Sequence, residues 1–393
     1  MQKILNFLKI YWPILLLCIF TFLLRIYKLE ELFYFTYDES VPAFVGRRLI
    51  LWHHIPLIGG VTPFGFHLGP YFYWFYALVL YIGNLNPLSW GYVSAFISIF
   101  TTLAIFITAK NFANRKVAIL ASSLWAFSYL TNIYDRHLWA LYWGPLASLL
   151  VLYSLAKIIK GSRNFIYLLA FTLALSIHAD PSNFVLYILT AVSFYLYKIK
   201  IKKDIAIGIF IILLSFLPLL IFDLRHNFVN IKPLLYFAHN DASSSSFSIQ
   251  HFKSNLILFP NTFTRLINTF SDNEIAKQYS YCIEIINEKY QAIPATVTIL
   301  FSVILIFYVY WSLRQKEIIW KLMTILLLTY IFSIQLYGTA FNADIYEHYI
   351  AGLLPVFLLI FAKLISNAPK YFWLLLLALF IILNLQRLAQ SQN

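Results

Sequence analysis

Six short polar stretches interrupt a chain that is otherwise almost entirely apolar, and they hold the side chains able to do chemistry. In residues 29–50, LEELFYFTYDESVPAFVGRRLI, Asp38 and Glu39 stand side by side among Phe33, Tyr34, Phe35 and Tyr37. A carboxylate desolvated by aromatic neighbours becomes a stronger base, which suits it to take a proton from an attacking hydroxyl or amine. In residues 62–75, TPFGFHLGPYFYWF, Gly65, Gly69 and Pro70 break the chain around His67, an imidazole able to hold a metal or meet a phosphate. Residues 134–145, YDRHLWALYWGP, place Asp135, Arg136 and His137 consecutively, and the planar fork of Arg136 suits bidentate binding of a phosphate.

The remaining three stretches repeat the theme more sparsely. LSIHADPSNF carries His178 and Asp180 ahead of Pro181, FDLRHNF carries Asp223, Arg225 and His226, and YEHYIAGLLP carries Glu347 and His348. Each has a plain structural reading beside the chemical one: an acidic pair facing water, an Asp–Arg surface pair, a histidine at a helix end, an aromatic belt at the membrane edge. Their clustering, more than any single motif, points to a site.

What must position these residues is a membrane-embedded bundle. The 393 residues are 61% hydrophobic, 19% aromatic and 11% charged, with a mean hydropathy of +0.75, values that exclude an ordinary soluble domain. Apolar runs of roughly 16 to 22 residues, the length that crosses about 30 Å of hydrocarbon, recur throughout. The expected architecture is all-α, a polytopic transmembrane helix bundle of about 11 spans. The spans read as residues 10–26, 91–109, 117–134, 138–157, 165–178, 184–197, 205–222, 296–313, 318–337, 349–364 and 372–385. The first run has no small-residue cleavage site and reads as a retained span. The run at 71–83 is short and crowded with Tyr, Phe and Trp, so it reads as an interfacial or re-entrant helix.

Orientation follows from the basic residues. With the N-terminus inside, the inner connections hold Lys3 and Lys9, Lys110 to Lys116, Lys157 to Arg163, Lys198 to Lys203, Arg314 and Lys316, and Lys363 and Lys370. The positive-inside rule is then met at every turn, and the net charge of +13 needs no nucleic-acid partner. The outer face collects Asp38, Glu39, His67, Asp135, Arg136, His178, Asp223, Arg225 and the pair Glu347 and His348. The whole chain, 1–393, reads as one integral membrane domain with a first outer loop at 27–90, carrying interfacial helices, and a long outer loop at 223–293. That second loop contains the run Ser243 to Ser246, which reads as a flexible tip, and then a segment that reads as one or two surface helices. Cys18 and Cys282 offer neither a disulfide framework nor thiol–metal spacing.

Taken in order, YDES after the first span, GFHLGPYFYW, DRHLW, SIHADPS, FDLRHNF and HYIAGLLP resemble the membrane glycosyltransferases of the GT-C superfamily. The branch they resemble contains the protein O-mannosyltransferases and the lipid A aminoarabinose transferase. The resemblance implies a sugar on a polyprenyl or dolichyl phosphate, transferred with inversion to a lipid, glycan or protein acceptor outside a bacterial plasma membrane. It assigns Asp38 as the catalytic carboxylate with Glu39 beside it and Asp135 as the second acidic position. His67 stands where relatives carry a histidine or glutamate before a proline pair, but Leu68, Gly69 and Pro70 follow it here. One proline and any phosphate-holding lysine are therefore missing, and donor-phosphate binding falls to Arg136, Arg225 and His348. A divalent metal ion, if used, would fall to His67 and His178. The alternative readings are a multi-span transporter, or a polysaccharide polymerase or ligase of the cell envelope.

A reporter fused after Lys203 should be cytoplasmic and one inserted in the run Ser243 to Ser246 external. The reverse activities in a dual-reporter assay would overturn the orientation.

Overall fold

In hydrocarbon a backbone must satisfy its own hydrogen bonds, and apolar runs of this length do so as helices. The computed structural model describes residues 2–33, 35, 37–62, 64–139, 143–200, 202–233, 249–267, 293–341 and 345–390, with side chains described except at 2–10, 37, 38, 339–341 and 390. Asp38 thus contributes backbone to a helix while its side chain lies outside the described residues.

The helices, in chain order, begin with α1 (Gln2–Ile26), the single turn α2 (Leu29–Leu32), α3 (Tyr37–Trp52) and α4 (Tyr71–Ile82). Next come α5 (Leu88–Phe112), α6 (Arg115–Phe127), α7 (Tyr129–Tyr134), α8 (Trp143–Ile159), α9 (Phe165–Ala179) and α10 (Phe184–Leu196). Then follow α11 (Lys203–Ser215), α12 (Leu217–Arg225), α13 (Ile249–Ile267), α14 (Ala295–Leu313) and α15 (Ile318–Phe341). A 3₁₀ segment, Glu347–Leu353, leads into α16 (Leu354–Ser366), and α17 (Lys370–Gln390) closes the described chain. The described residues form no β-sheet, and their one isolated bridge joins Val61 to His67. By length and composition, five described helices can cross a membrane, or six if α11 and α12, bent by 43°, count as one span. The apolar helices α8, α9 and α10 are shorter.

Every stretch expected to span carries helix, but several are interrupted. The run at 117–134 breaks at Ser128, whose extended backbone separates α6 from α7. The run at 138–157 becomes helical at Trp143, and the one at 349–364 starts as 3₁₀ turns.

Two ends of the bundle differ in chemistry. At one, lysines and arginines lie over aromatic rings of neighbouring helices: Lys110 over Tyr11, Lys116 over Trp373, Lys160 over Phe112 and Lys363 over Trp311. Lys116 also donates to the Ser366 carbonyl at 2.6 Å. These contacts gather the ends of α5, α8, α14 and α16 with the starts of α6 and α17 into one layer, where basic heads can reach water while their stems stay apolar. The other end holds the polar stretches. Helix α4 touches that end at both of its own termini: Tyr71 lies 5.1 Å from the His178 ring, while Ser89 and Trp90 at the start of α5 bond to the Val79 and Tyr76 carbonyls.

Helix α13 belongs to the core although its sequence falls inside the long outer segment. Its apolar stripe buries Phe259, Phe263 and Leu266, and Phe263 stacks on Phe357 at 5.0 Å and meets Phe301 edge-on at 4.9 Å. Residues 234–248, with the serine run, and 268–292, with Cys282, lie outside the described residues.

Close approach of α8 to the 3₁₀ segment requires glycine. A Cβ on Gly352 would run into the Tyr330 hydroxyl and sit 3.5 Å from the Gly144 carbonyl oxygen, while a Cβ on Gly144 would press on the Gly352 nitrogen at 3.3 Å. Gly352→Ala should therefore destabilise the bundle by about 1–3 kcal/mol, and Tyr330→Phe in the same chain should recover part of the loss. Thermal unfolding of the purified variants in detergent measures both.

Candidate active site

The outer hairpin after α7 is built around one guanidinium. Breaking the helix at Ser128 leaves the carbonyls at the end of α6 without their usual donors. Arg25, at the end of α1 and 0% exposed, supplies them: Nη1 donates to the Ala126 carbonyl at 2.8 Å and Nη2 to the Trp125 carbonyl at 3.2 Å. The same side chain donates from Nε to Asp135 Oδ2 at 2.9 Å and reaches Asn132 Oδ1 at 3.1 Å and Thr131 Oγ1 at 3.2 Å. Ser98 on α5 donates to Asp135 Oδ2 at 2.5 Å. Asp135 is thus held in place by two helices besides its own.

Its neighbours in the triplet divide the work. His137 is buried and its Nδ1 lies 3.2 Å from Glu39 Oε1, with Glu39 2% exposed. Ser94 donates to the His137 carbonyl at 2.7 Å, and Phe33 stacks on the imidazole at 6.2 Å. Glu39 therefore fastens α3 to the hairpin. Since α3 starts at Tyr37, this contact falls in its first turn. Arg136 is 1% exposed and donates from Nη2 to the Leu24 carbonyl at 3.1 Å, while its Nε and Nη1 have no hydrogen-bond partner among the described residues. Burial, then the nearby Arg25 charge, lowers its pKa to about 10, which leaves it cationic at neutral pH.

A second buried ion pair braces the hairpin from behind. Arg265 of α13 is paired with Glu347 of the 3₁₀ segment, and the Tyr134 hydroxyl donates to the same carboxylate. His348, next in sequence, is sandwiched by rings, 5.0 Å from Trp139 and 4.4 Å from Tyr349. Arg225 ends α12 and is exposed.

Beside the hairpin opens an apolar groove of about 870 Å³. It is walled by residues 59–73 of the first outer segment, residues 177–188 at the α9–α10 turn and residues 330–337 of α15, with Trp139 and Tyr349 between them. His178 is part of this wall, and both its ring nitrogens are occupied: Nδ1 accepts from the Gly69 amide at 3.1 Å and Nε2 meets Ser215 Oγ at 3.0 Å. Its Nδ1 lone pair is used, so the proton sits on Nε2, and neither nitrogen is left for a metal. Gly69 is needed there, because a Cβ would collide with the imidazole. His67 bonds through Nδ1 to the Gly59 carbonyl at 3.1 Å, and its amide donates to Asn230 Oδ1. Among the described residues no three His, Cys, Asp or Glu side chains are gathered as a metal site, so the pairing of His67 with His178 around an ion is not met by the geometry.

The arrangement thus brings Glu39, Asp135 and Arg136 together, places His348 and His178 along the groove side, and leaves Arg225 apart. Sequence reasoning passed over Arg25 and Arg265. Arg25 carried a signal, an arginine inside an apolar span, where ionisable groups are expensive; Arg265 carried none, since its helix was read as part of a loop.

Comparison with known proteins returns the fold. Crystallised ArnT from Cupriavidus metallidurans, bound to undecaprenyl phosphate, superposes with a TM-score of 0.61 at 10% identity over 93% of this chain. The oligosaccharyltransferase AglB from Archaeoglobus fulgidus, in complex with an inhibitory peptide and a dolichol-phosphate, gives 0.56 at 12% identity over 98%. The same organism's oligosaccharyltransferase with Zn and sulfate gives 0.54 at 13% over 97%. This chain spans 62% of the length of ArnT and 56% and 53% of the two oligosaccharyltransferase chains. No protein-family model and no curated protein matches the sequence. The chain is an integral membrane protein that shares its fold with these ArnT and oligosaccharyltransferase structures.

Arg25→Met should destabilise the bundle by about 3–5 kcal/mol, because it leaves Asp135 buried without its counter-charge. Asp135→Asn added to it should regain much of the loss. Unfolding temperatures of the single and double variants test the pair.

Proposed function

We propose that this protein is a glycosyltransferase that moves a sugar from a polyprenyl-phosphate donor to an acceptor on the extracytoplasmic face. The observation that carries the reading is the hairpin's charge balance beside an apolar groove. Arg25 is neutralised by Asp135, while Arg136 next to them is buried with two N–H directions unmet. An unmatched guanidinium in such a place favours an anion, and a phosphate fits its fork. The groove, lined mainly by aromatic and aliphatic side chains, suits the chain of a lipid-linked substrate. ArnT and AglB, which share the fold, were crystallised with undecaprenyl phosphate and dolichol-phosphate.

In this reading each residue has a chemical task. Departure of the lipid phosphate from the anomeric carbon builds negative charge on its bridging oxygen, which Arg136 offsets, with His348 as a further phosphate contact. Asp38, set at the first turn of α3 by the Glu39–His137 contact, takes the proton of the acceptor on the opposite face of the sugar, and attack from that face inverts the anomeric centre. Asp135 and Glu39 act by holding this geometry. Charge stabilisation is assigned to the Arg136 guanidinium. The full count of about 11 spans, the interfacial placement of α3 and α4 and a bacterial plasma-membrane location belong to the same proposal.

The first test is turnover of a panel of radiolabelled polyprenyl-phosphate sugars by the purified protein in lipid. Donor consumption by the wild type, abolished in Asp38→Asn with an unchanged unfolding temperature, is the expected result. Arg136→Gln should raise KM for the donor by about tenfold or more, the loss of roughly 1.5–3 kcal/mol of charge-assisted bonding. Failure of the folded protein to consume any donor would leave a transporter or an envelope polymerase or ligase as the better reading.

A further inference from the structure

The basic end of the bundle carries a cavity that the transfer reaction does not use. About 210 Å³ in volume, it lies between the turn joining α8 to α9 and the turn joining α10 to α11. Both turns are built alike. Helix α8 closes with Ser162 N–H donating to the Lys157 carbonyl and Gly161 N–H to the Ile158 carbonyl; α10 closes with Ile199 N–H to Phe194 and Lys198 N–H to Tyr195. These paired bonds are the Schellman arrangement, with Gly161 (φ 97°) and Lys198 (φ 49°) in the left-handed position. Because each turn satisfies its own helix end, the loops beyond it are free to point side chains into the space between them.

Those side chains are basic above and apolar below. Arg163, Lys200 and Lys202 line the cavity, and Ile158, Ile166 and Ile199 form its floor. No carboxylate is among the described lining residues. Asp204 stands beside it, 3.6 Å from Arg163 Nη1, and Arg163 Nη2 donates to the Lys200 carbonyl at 3.5 Å, so the guanidinium is oriented across the cavity by its neighbours. One carboxylate against three cations leaves the cleft net positive. Nearby Lys157 lies over Tyr153 and Phe165, whereas Lys200 and Lys202 are exposed.

We propose that this cleft is a binding site for the phosphate of an anionic membrane phospholipid in the leaflet at the basic end. Phosphate is the chemistry shared by a lipid headgroup and a free ion, and two features favour the lipid. The floor is apolar, as glycerol and the first acyl carbons require, and Tyr195 and Leu196 on the last turn of α10 are widely exposed next to it. Basic pockets between helices on the cytoplasmic side are suited to such headgroups, each lysine contributing about 1 kcal/mol near an anionic surface.

The test uses the full-length protein in neutral detergent, with binding of dioleoylphosphatidylglycerol or dioleoylphosphatidylcholine read by native mass spectrometry and by unfolding temperature. Phosphatidylglycerol should be retained preferentially, and Lys200→Gln with Lys202→Gln should weaken that retention by about fivefold per lysine. The pair Lys198→Gln and Lys203→Gln, which removes the same charge outside the cavity lining, should leave it unchanged. Equal retention of both lipids would overturn the site, as would an equal loss in the two double variants, which would mean diffuse attraction. Stabilisation by inorganic phosphate equal to that by phosphatidylglycerol would overturn the lipid as its occupant. The lysines are exposed, and a wild-type unfolding temperature in neutral detergent shows that each variant is folded.

Discussion

The Arg25 guanidinium is the constraint on which the outer end of this bundle depends. A helix broken at Ser128 inside the core must find donors for its last carbonyls, and an acid at Asp135 must find a counter-charge. One side chain at the end of α1 meets both needs, using every face of its planar fork. A lysine, whose three donors share one nitrogen, could not reach all five of these acceptors at once. Isolated charges of this burial would be prohibitively costly; joined, they lock α1, α5, α6 and α7 in one register.

The rest of the outer layer is tied to that lock. Glu39 to His137 attaches the first outer segment, Tyr134 to Glu347 and Arg265 attaches the late 3₁₀ segment and α13, and Gly69 to His178 closes the groove wall. Most of these bonds cross between elements far apart in sequence. The basic end is held differently, by cations resting on aromatic rings at the helix ends. Such contacts tolerate sliding and water, whereas buried hydrogen-bonded pairs demand fixed geometry. A rigid chemical end and a more adaptable anchoring end are the outcome.

The candidate site residues are engaged to different degrees. Glu39 and Asp135, both acids in conspicuous motifs, are met by His137 and by Arg25 with Ser98. His178 sits in the groove wall with both nitrogens engaged. The guanidinium of Arg136, one residue from Asp135, keeps two donor atoms unmet among the described residues, and the proposed anion seat rests on this contrast.

The sequence by itself determined the membrane bundle, its charge asymmetry, and the polar stretches that gather at one end of it. Apolar run length, the distribution of Lys and Arg, and the costliness of ionisable groups in lipid are one-dimensional properties that survive folding unchanged. It also located Glu39, Asp135, Arg136, His178 and His348 in stretches that do meet at one end. The tertiary structure decided which of them are paired. It made α13 part of the core, because a stripe of Phe259, Phe263 and Leu266 diluted by polar residues reads as loop until Phe301 and Phe357 are brought against it. It broke the run at 117–134, because an unwound turn is tolerable only where Arg25, more than a hundred residues away, arrives to satisfy it. Pairings over such separations depend on how helices pack, and no local pattern encodes them.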